Sequence, residues 1–232
     1  MVDGRESRSG RAMRAAAIRS RQHTERPAIR DRCGSVRSSE SIDDVLVVDA
    51  PIVTDRLLLR PFRDDDLDAL HEMRSSPAVV RFTYWPPSSR EQTRTVIETR
   101  RQMNHLTREG DILVLAIEVR QAARFVGDVD LTWTSLDRRE GEVGVMLHPD
   151  GQGRGYAQEA VAALLSLGFN ELHLHRIIGR TDARNKAAAQ CMHRLGMRQE
   201  AHFREYGIFD GEWYDELVFA VLADEWARRR RT

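Results

Sequence analysis

The 232-residue chain carries 36 basic and 36 acidic residues, a balance that excludes the strongly basic surface of a nucleic-acid binder. It contains no apolar run of about 18 residues or more, so no transmembrane helix is predicted and no membrane partner is expected. Its two cysteines, Cys33 and Cys191, cannot form a disulfide framework or a zinc site alone, so we expect a cytoplasmic protein without a metal.

The first 49 residues differ in composition from the rest of the chain. They are rich in Arg, Ser and Gly and hold few large apolar side chains before "VLVV" at 45–48. Because such a segment cannot bury enough apolar surface to offset its ordering entropy, we predict a disordered extension over 1–49 and one folded domain over 50–232. Two alternatives stay open for the extension: a transit peptide, or a start site placed too early.

Beyond Pro51 the hydrophobic pattern becomes periodic and predicts strands and helices. The first half contains, in chain order, a strand at 56–62, helices at 64–76 and 88–106, and strands at 111–120 and 124–136. The second half contains a strand at 141–149, a helix over about 158–172, a strand at 176–183, a short helix at 185–197 and a hairpin over 201–226 that turns at Asp210-Gly211. This order predicts one mixed α/β, or α+β, domain.

The stretch "VMLHPDGQGRGYAQEAVAALL" at 145–165 joins a predicted strand to a predicted helix through a loop with three glycines at alternate positions. A glycine-rich turn that leads into a helix N-terminus offers unpaired backbone amides and the positive end of the helix dipole, so it predicts an anion site, with phosphate as the natural ligand. The spacing fits neither a Walker motif nor a dinucleotide fingerprint. A purely structural turn is the alternative.

The segment "HPDGQGRGYAQEAV" resembles the R/Q-x-x-G-x-G/A pyrophosphate loop of the GNAT superfamily of acetyl-CoA-dependent N-acetyltransferases, with Gln152, Gly155 and Ala157 at the three fixed positions. Other blocks resemble the RimJ/RimL branch in the expected order: "TDRLLLRPF" (54–62), "GEVGVML" (141–147), "DARNKAAAQCMHRLGM" (182–197) and "DGEWYDELVFAVLADEW" (210–226). The resemblance implies a GNAT fold, in which a mixed, mostly antiparallel central sheet splays between two parallel strands and is flanked by helices.

The same resemblance implies acetyl-CoA as co-substrate and no metal. The residues that would hold the pyrophosphate are those of the loop: Gln152, Gly153, Arg154, Gly155, Tyr156 and Ala157. The pantetheine arm would lie along the end of the preceding strand, at Val145, Met146 and Leu147, where a backbone amide could polarise the thioester carbonyl. Asn185 matches an asparagine that touches the cofactor in the family, and it also fits a helix N-cap.

An amine attacks a thioester only in its neutral form, so the reaction calls for a proton acceptor. Glu142 is the first candidate for this base, because the family often places a glutamate that acts through water at the start of this strand. Asp215 is the second candidate and His148 the third. An exposed strand carboxylate without a catalytic role is the alternative interpretation of Glu142.

The leaving thiolate also takes a proton, and the family often supplies it from a tyrosine on the helix that follows the asparagine. This sequence has Met192 at that position. Tyr206 and Tyr214 of the hairpin are the remaining candidates, and each also fits a core or rim position. Because a thiol has a pKa of about 8.5, a proton from solvent would suffice.

The stiff aromatic segment that contains Tyr84 and Trp85 is predicted to line the acceptor groove, with Trp133 and Trp213 as further candidates for its wall. A packed cap on the core is the alternative for each of these residues. Ten arginines against five acidic residues over 1–41 leave the rest of the chain at net −5. This charge suits a cationic or amine partner, and solubility alone is the alternative explanation. The resemblance implies a protein N-terminus or a small-molecule amine as acceptor, and it allows a homodimer. Two functions stay open: an active N-acetyltransferase, or a catalytically weak acyl-CoA-binding regulatory module.

Overall fold

The computed structural model describes residues 46–229, which belong to one compact unit. The strands are β1 (Leu46–Val47), β2 (Ile52–Val53), β3 (Leu57–Arg60), β4 (His105–Leu106), β5 (Ile112–Val119), β6 (Arg124–Ser135), β7 (Glu140–Leu147), β8 (Arg176–Asp182), β9 (Arg198–Phe209) and β10 (Glu212–Leu222). Eight of them form the main sheet in the order β2-β3-β5-β6-β7-β8-β10-β9. The helices are α1 (Leu67–Ser75), α2 (Pro77–Val80), α3 (Arg90–Arg100), α4 (Tyr156–Asn170), α5 (Lys186–Arg194) and α6 (Ala223–Arg229).

The larger core lies on the face of the sheet that α4 covers. Successive side chains of a strand point to opposite faces, so alternate residues of β6 contribute to it, namely Val129, Leu131 and Trp133. Leu164 and Leu165 of α4 are fully buried in the same cluster. Burial of such aliphatic side chains stabilises the fold by about 1.5–3 kcal/mol each.

A second, smaller core lies between the sheet and the first helices. Leu70 and Met73 of α1 are fully buried there with Ile97 of α3, against Val114 and Ala116 of β5. The intervening residues of β6 also face this side, because Asp128 pairs with Arg100 of α3. The two faces of the sheet therefore carry two different helix layers.

All strand pairs of the main sheet are antiparallel except β7 with β8. Their parallel register covers only Glu140–Glu142 against Arg176–Ile178. Beyond these positions β7 continues to Leu147 and β8 to Asp182 without pairing to each other, so the two strands diverge. This sheet confirms the predicted fold class.

Several predicted boundaries are wrong. Residues 46–48 were assigned to the N-terminal extension, but β1 pairs with β4 and Val48 is buried, so the folded domain begins earlier; the rest of the extension, 1–45, lies outside the described residues. The helix predicted over 88–106 ends at Arg100, because Leu106 is buried in a strand instead. The hairpin predicted to reach residue 226 ends at Leu222, where α6 begins.

Candidate active site

The gap between β7 and β8 is the central feature of the site. It opens after Glu142 and Ile178, the last parallel pair, while the other edge of β7 stays paired to β6 as far as Leu147. Among the described strands, therefore, none pairs with one edge of β7 where it approaches the glycine loop. A free strand edge of this kind can accept an extended group that carries its own amides, as an added strand would.

The glycine loop leaves a run of backbone amides unpaired at the end of this gap. The amides of Gly151, Gln152 and Glu159 donate to backbone carbonyls, whereas those of 153–158 have no backbone acceptor among the described residues. Gly153 and Gly155 adopt left-handed conformations, with φ of 71° and 79°, and Gly155 is the N-cap of α4. The loop thus presents several donors at the positive end of a 15-residue helix, an arrangement that favours an anion.

A clamp formed by Thr54 and Arg56, which directly precede β3, holds the loop. The Arg56 guanidinium donates from Nη1 to the Arg154 carbonyl (2.8 Å) and from Nε to Glu159 Oε2 (2.7 Å). Thr54 Oγ1 donates to Glu159 Oε1 at 2.6 Å. Burial alone would raise the pKa of Glu159, but the hydrogen bonds from Thr54 and Arg56 outweigh it, so the pKa is lowered and the carboxylate stays ionised.

The face of the sheet opposite α4 carries a group of carboxylates around the gap. Most of them are engaged by arginines: Asp128 with Arg100 (2.6 Å), Glu142 and Glu216 with Arg180 (3.3 and 2.8 Å), and Asp182 with Arg184 (2.7 Å). Asp130 is different, because it makes no ion pair or side-chain hydrogen bond with any residue that the structure describes. Among the described residues, this face therefore combines carboxylates held by arginines with Asp130, which is not held by one.

An aromatic wall borders the same face. Tyr84 stacks on Tyr214 of β10, with ring centroids 3.8 Å apart, and meets Phe209 edge-on at 6.0 Å. Gly207 makes this arrangement possible, since a Cβ there would lie 2.6 Å from the Tyr214 hydroxyl. Burial, together with the nearby Asp182 carboxylate, raises the pKa of Tyr84, so its hydroxyl stays protonated.

A family model for the acetyltransferase (GNAT) domain matches residues 56–198, more than half of the chain. The chain belongs to the GNAT acetyltransferase family. This confirms the resemblance inferred from the sequence and the expected reaction class, an acetyl-CoA-dependent N-acetyl transfer to an amine.

Relatives with solved structures or curated names agree with this family. The uncharacterized N-acetyltransferase YnaD of Bacillus subtilis is 29% identical over 75% of this chain and 98% of its own length. The [ribosomal protein uS5]-alanine N-acetyltransferase of Escherichia coli is 28% identical over 38% of this chain and 45% of its own. The structure of spermidine N-acetyltransferase from Vibrio cholerae in complex with CoA and spermine has a TM-score of 0.64 at 20% identity and covers 75% of this chain and 99% of that one.

The predicted cofactor residues of this GNAT chain lie on the end of β7, on the loop that follows it and on the segment that follows β8. Val145, Met146 and Leu147 form the half-buried end of β7, and the loop follows directly. The Gln152 side chain donates back to the Leu147 carbonyl at 3.1 Å, and Asn185 caps α5 by accepting from the Ala188 amide at 3.1 Å. The helix-cap alternative for Asn185 is thus present in the structure.

Of the predicted acceptor residues, Tyr84 and Trp85 lie on the face opposite α4, and Trp133 does not. The Arg74 guanidinium lies over the Trp85 ring, with its Cζ 5.1 Å from the ring centroid. Trp85 directly follows Tyr84 of the aromatic wall in the sequence. Trp133 is only 3% exposed and belongs to the large core under α4, so its predicted role in substrate binding is wrong. The strand alternation explains this, because Trp133 shares a face with Val129 and Leu131.

The three candidate bases lie in different places. Glu142 lies at the mouth of the gap, where burial raises its pKa against the opposing effect of Arg180. Asp215 lies on the outer hairpin, where it accepts from the Glu205 amide (2.9 Å) and contacts His202 Nε2 (2.7 Å). His148 is buried beside the loop, 3.4 Å from Glu72. Only Glu142 is placed at the gap.

Met192 occupies the position where a tyrosine was expected. Its thioether packs over Gly179 on β8, because a Cβ built on Gly179 would lie 3.1 Å from the sulfur. Gly179 follows the last parallel pair, so Met192 borders the gap with an apolar group and no hydroxyl. Tyr206 and Tyr214 lie in the aromatic wall, with their rings 6.4 Å apart.

Two features of the site were missed from the sequence. The clamp joins Arg56 to Glu159, which is 103 positions away in the sequence, and no local sequence pattern predicts such a contact. The position of Asp130 could have been predicted from the sequence, because Asp128 and Asp130 alternate with apolar residues in "FVGDVDLTW" and therefore lie on one face of the strand. Within residues 46–229, no helix is long and apolar enough to cross a membrane, and no cluster of three or more His, Cys, Asp or Glu side chains could hold a metal.

Proposed function

We propose that this chain acetylates a primary amine that approaches the gap from the face opposite α4, and that acetyl-CoA lies along β7 with its pyrophosphate on the glycine loop. The observation that carries the proposal is the junction of three features: a free edge of β7, the unpaired amides of 153–158, and a carboxylate-bearing face. The amides and the helix dipole match a diphosphate, and the strand edge matches the amides of pantetheine.

The proposed reaction is a direct transfer. The acceptor enters as an ammonium and loses one proton to a carboxylate at the gap, for which Glu142 is the candidate chosen from the sequence. The neutral nitrogen attacks the thioester carbonyl carbon, and a free amide of β7 stabilises the oxyanion. The C–S bond then breaks, the nitrogen loses its second proton to solvent, and the thiolate takes up a proton to leave as CoA thiol.

The acceptor face favours a cationic group near the reaction centre and an apolar or aromatic group beside it. Arg180 is shared between Glu142 and Glu216, so this cluster keeps a net negative charge that attracts an ammonium. Tyr84 and Tyr214 form a stacked wall on which an apolar part of the acceptor can lie. Both a protein N-terminus and a small amine have these features; spermidine and ribosomal-protein acetyltransferases are among the relatives.

A regulatory acyl-CoA-binding module is the second candidate function. The apolar Met192 at the edge of the gap favours it, because no hydroxyl is supplied there to protonate the thiolate. A cytoplasmic location and a homodimer remain part of the expectation drawn from the sequence.

Amine-dependent release of CoA thiol separates the two candidates. The full chain is incubated with acetyl-CoA and a panel of N-terminal peptides, polyamines and small apolar amines, and thiol release is followed together with the mass of the product. A mass increase of about 42 Da, which is what one acetyl group adds when it replaces a hydrogen, on one class of amine would support acetyl transfer. Tight acetyl-CoA binding without amine-dependent release would support the regulatory module.

A further inference from the structure

Asp130 is a carboxylate that lies against the part of β7 that has separated from β8 and makes no ion pair or side-chain hydrogen bond with any residue that the structure describes. It lies opposite Gly144 in the register of β6 with β7, two residues beyond the last parallel pair of β7 and β8. A Cβ built on Gly144 would lie 2.5 Å from Asp130 Oδ1 and 3.0 Å from Oδ2, so the carboxylate occupies the space directly over the Gly144 backbone. This is the part of β7 that has separated from β8 and where the thioester would lie in the proposed function.

The other carboxylates of this face are occupied by arginines. Arg100 holds Asp128, Arg176 holds Glu140, and Arg180 bridges Glu142 and Glu216. A carboxylate in an ion pair is a weak proton acceptor, because protonation would abolish the pair. Asp130 has no such pair to lose among the residues that the structure describes.

We propose that Asp130 is the catalytic base, which accepts the proton of the acceptor's ammonium at its carboxylate oxygen over Gly144. This inference rests on the proposed acetyl transfer and assigns its first step. The ammonium R–NH₃⁺ gives one proton to Asp130, leaving R–NH₂ and a neutral carboxyl, and the freed lone pair attacks the thioester carbon. After the C–S bond breaks, the carboxyl returns its proton to the thiolate or to solvent, and the second amine proton leaves to solvent.

The electrostatics of the face support this role. Burial, reinforced by the negative charges of Asp128 on the same strand and Glu142 on β7, raises the pKa of Asp130 to about 7, against the opposing effect of Arg100 from α3. Arg74 of α1 lies in the same network, where burial and the charge of Arg100 lower its own pKa. A base with a pKa near the working pH combines an ionised fraction with a strong tendency to take a proton.

The kinetic test compares Asp130→Asn with two acceptors. With an ordinary alkylamine, the variant should lose at least tenfold in kcat/KM at pH 7, and the rise of wild-type activity through about pH 7 should disappear from its profile. With a weakly basic alkoxyamine, which is already neutral at pH 7, the loss should be smaller by tenfold or more. Asp137→Asn on the exposed β6–β7 turn is the matched control and should keep wild-type activity.

A structural role for Asp130 would affect both amines alike, so an equal loss with the two acceptors would overturn the assignment. An unchanged profile would overturn it as well. Gly144→Ala offers an independent variant, because its methyl group would displace the carboxylate while leaving its charge, and it should reproduce the loss with the alkylamine.

Failure to find any acceptor amine would contradict the proposed acetyl transfer. The state of Asp130 can be measured without an acceptor, through the pH dependence of stability. A carboxyl whose pKa is raised in the folded state favours the fold below its unfolded pKa, and this contribution is lost as the pH rises to about 7. Asparagine is neutral at every pH, so Asp130→Asn should unfold at a higher urea concentration than wild type at pH 8, with a smaller difference at pH 5. An equal or lower midpoint at pH 8 would show an ordinary carboxylate and would overturn the assignment.

Discussion

Arg56 and Glu159 lie 103 residues apart in the sequence and are joined by two hydrogen bonds, from the Arg56 amide at 2.8 Å and from its Nε at 2.7 Å. The same guanidinium donates to the Arg154 carbonyl in the glycine loop. One arginine therefore fixes both the first turn of α4 and the loop that precedes it. Because several amides of the loop would have to point toward one anion, we expect this clamp to set the geometry of the proposed pyrophosphate site before any ligand binds.

Removing the charge of Glu159 should weaken acetyl-CoA binding. Glu159→Gln keeps the shape of the side chain but loses the charge-assisted bonds to Arg56, each of which contributes about 1.5–3 kcal/mol where it is shielded from water and less at this partly exposed site. We expect the Kd for acetyl-CoA, measured by calorimetry, to rise about tenfold, with turnover at saturating acetyl-CoA little changed. Glu98→Gln, an exposed glutamate on α3, is the matched control.

The clamp also predicts a pH dependence of stability. The pKa of Glu159 is lowered in the folded state, so its contribution is present above the unfolded pKa of about 4.3 and is lost as the pH falls through the lower, folded pKa. The difference in unfolding free energy between wild type and Glu159→Gln should be constant from pH 6 to 8, as the ionised carboxylate requires, and should shrink below about pH 4. A difference that persists in acid would show that shape, not charge, holds the loop.

A side chain at position 155 should block the pyrophosphate site. Gly155 has a φ of 79°, and a Cβ there would already lie 3.3 Å from the Arg56 guanidinium. Gly155→Val should therefore abolish measurable acetyl-CoA binding in calorimetry, beyond its strain cost of roughly 1–2 kcal/mol. Arg154→Ala should do less, because its exposed side chain is not needed for the backbone donors.

Gly110→Val separates strain from binding in this experiment. Gly110 also has a left-handed conformation, with a φ of 94°, but a Cβ there would meet no atom within 4 Å. The two variants should lose similar stability in thermal unfolding, while only Gly155→Val loses acetyl-CoA. Wild-type affinity in Gly155→Val would remove the loop from the binding site.

The ion-pair cluster at the end of β3 should be important for stability. Arg60 is 4% exposed and donates to both oxygens of Asp66 (2.8 and 2.7 Å) and to Glu118 (2.7 Å). Asp66→Asn leaves a buried guanidinium with one carboxylate, so we expect a loss of about 3–5 kcal/mol in urea unfolding. Asp65→Asn, on the exposed neighbouring residue, should change stability by less than about 0.5 kcal/mol. Equal effects would mean that the pair adds nothing beyond helix capping.

The predictions that succeeded from the sequence depend on local pattern. The glycine loop could be located because the strand, the loop and the helix are consecutive, and the gap was implied by the family resemblance. Trp133 was assigned to the acceptor groove although it lies in the large core. Strand alternation assigns residues to two faces of the sheet but does not show which face binds substrate, and here both faces are covered by helices. The clamp and the unpaired state of Asp130 arise from contacts between distant segments, and one sequence does not reveal such pairings.

The effect of Glu142→Gln distinguishes the sequence-based choice of base from Asp130. Glu142 is bonded to Arg180 and adds to the negative charge that raises the pKa of Asp130. Removing that charge favours the ionised form of Asp130, so its pKa should fall. We therefore expect Glu142→Gln to keep the rising limb of the kcat/KM profile but to move it to lower pH, with acetyl-CoA affinity unchanged.

If Glu142 instead takes the proton through water, the result is different. The glutamine variant would then lose the rising limb and at least tenfold in turnover at pH 7, and the deficit would shrink toward pH 9.5 as the acceptor loses its proton without help. Wild type, Glu142→Gln, Asp130→Asn and the double variant form a complete cycle for this measurement. Because one base accepts the proton, the double variant should be no slower than the single variant that lacks this base. The single variant whose turnover matches that of the double variant therefore identifies the base as Asp130 or Glu142.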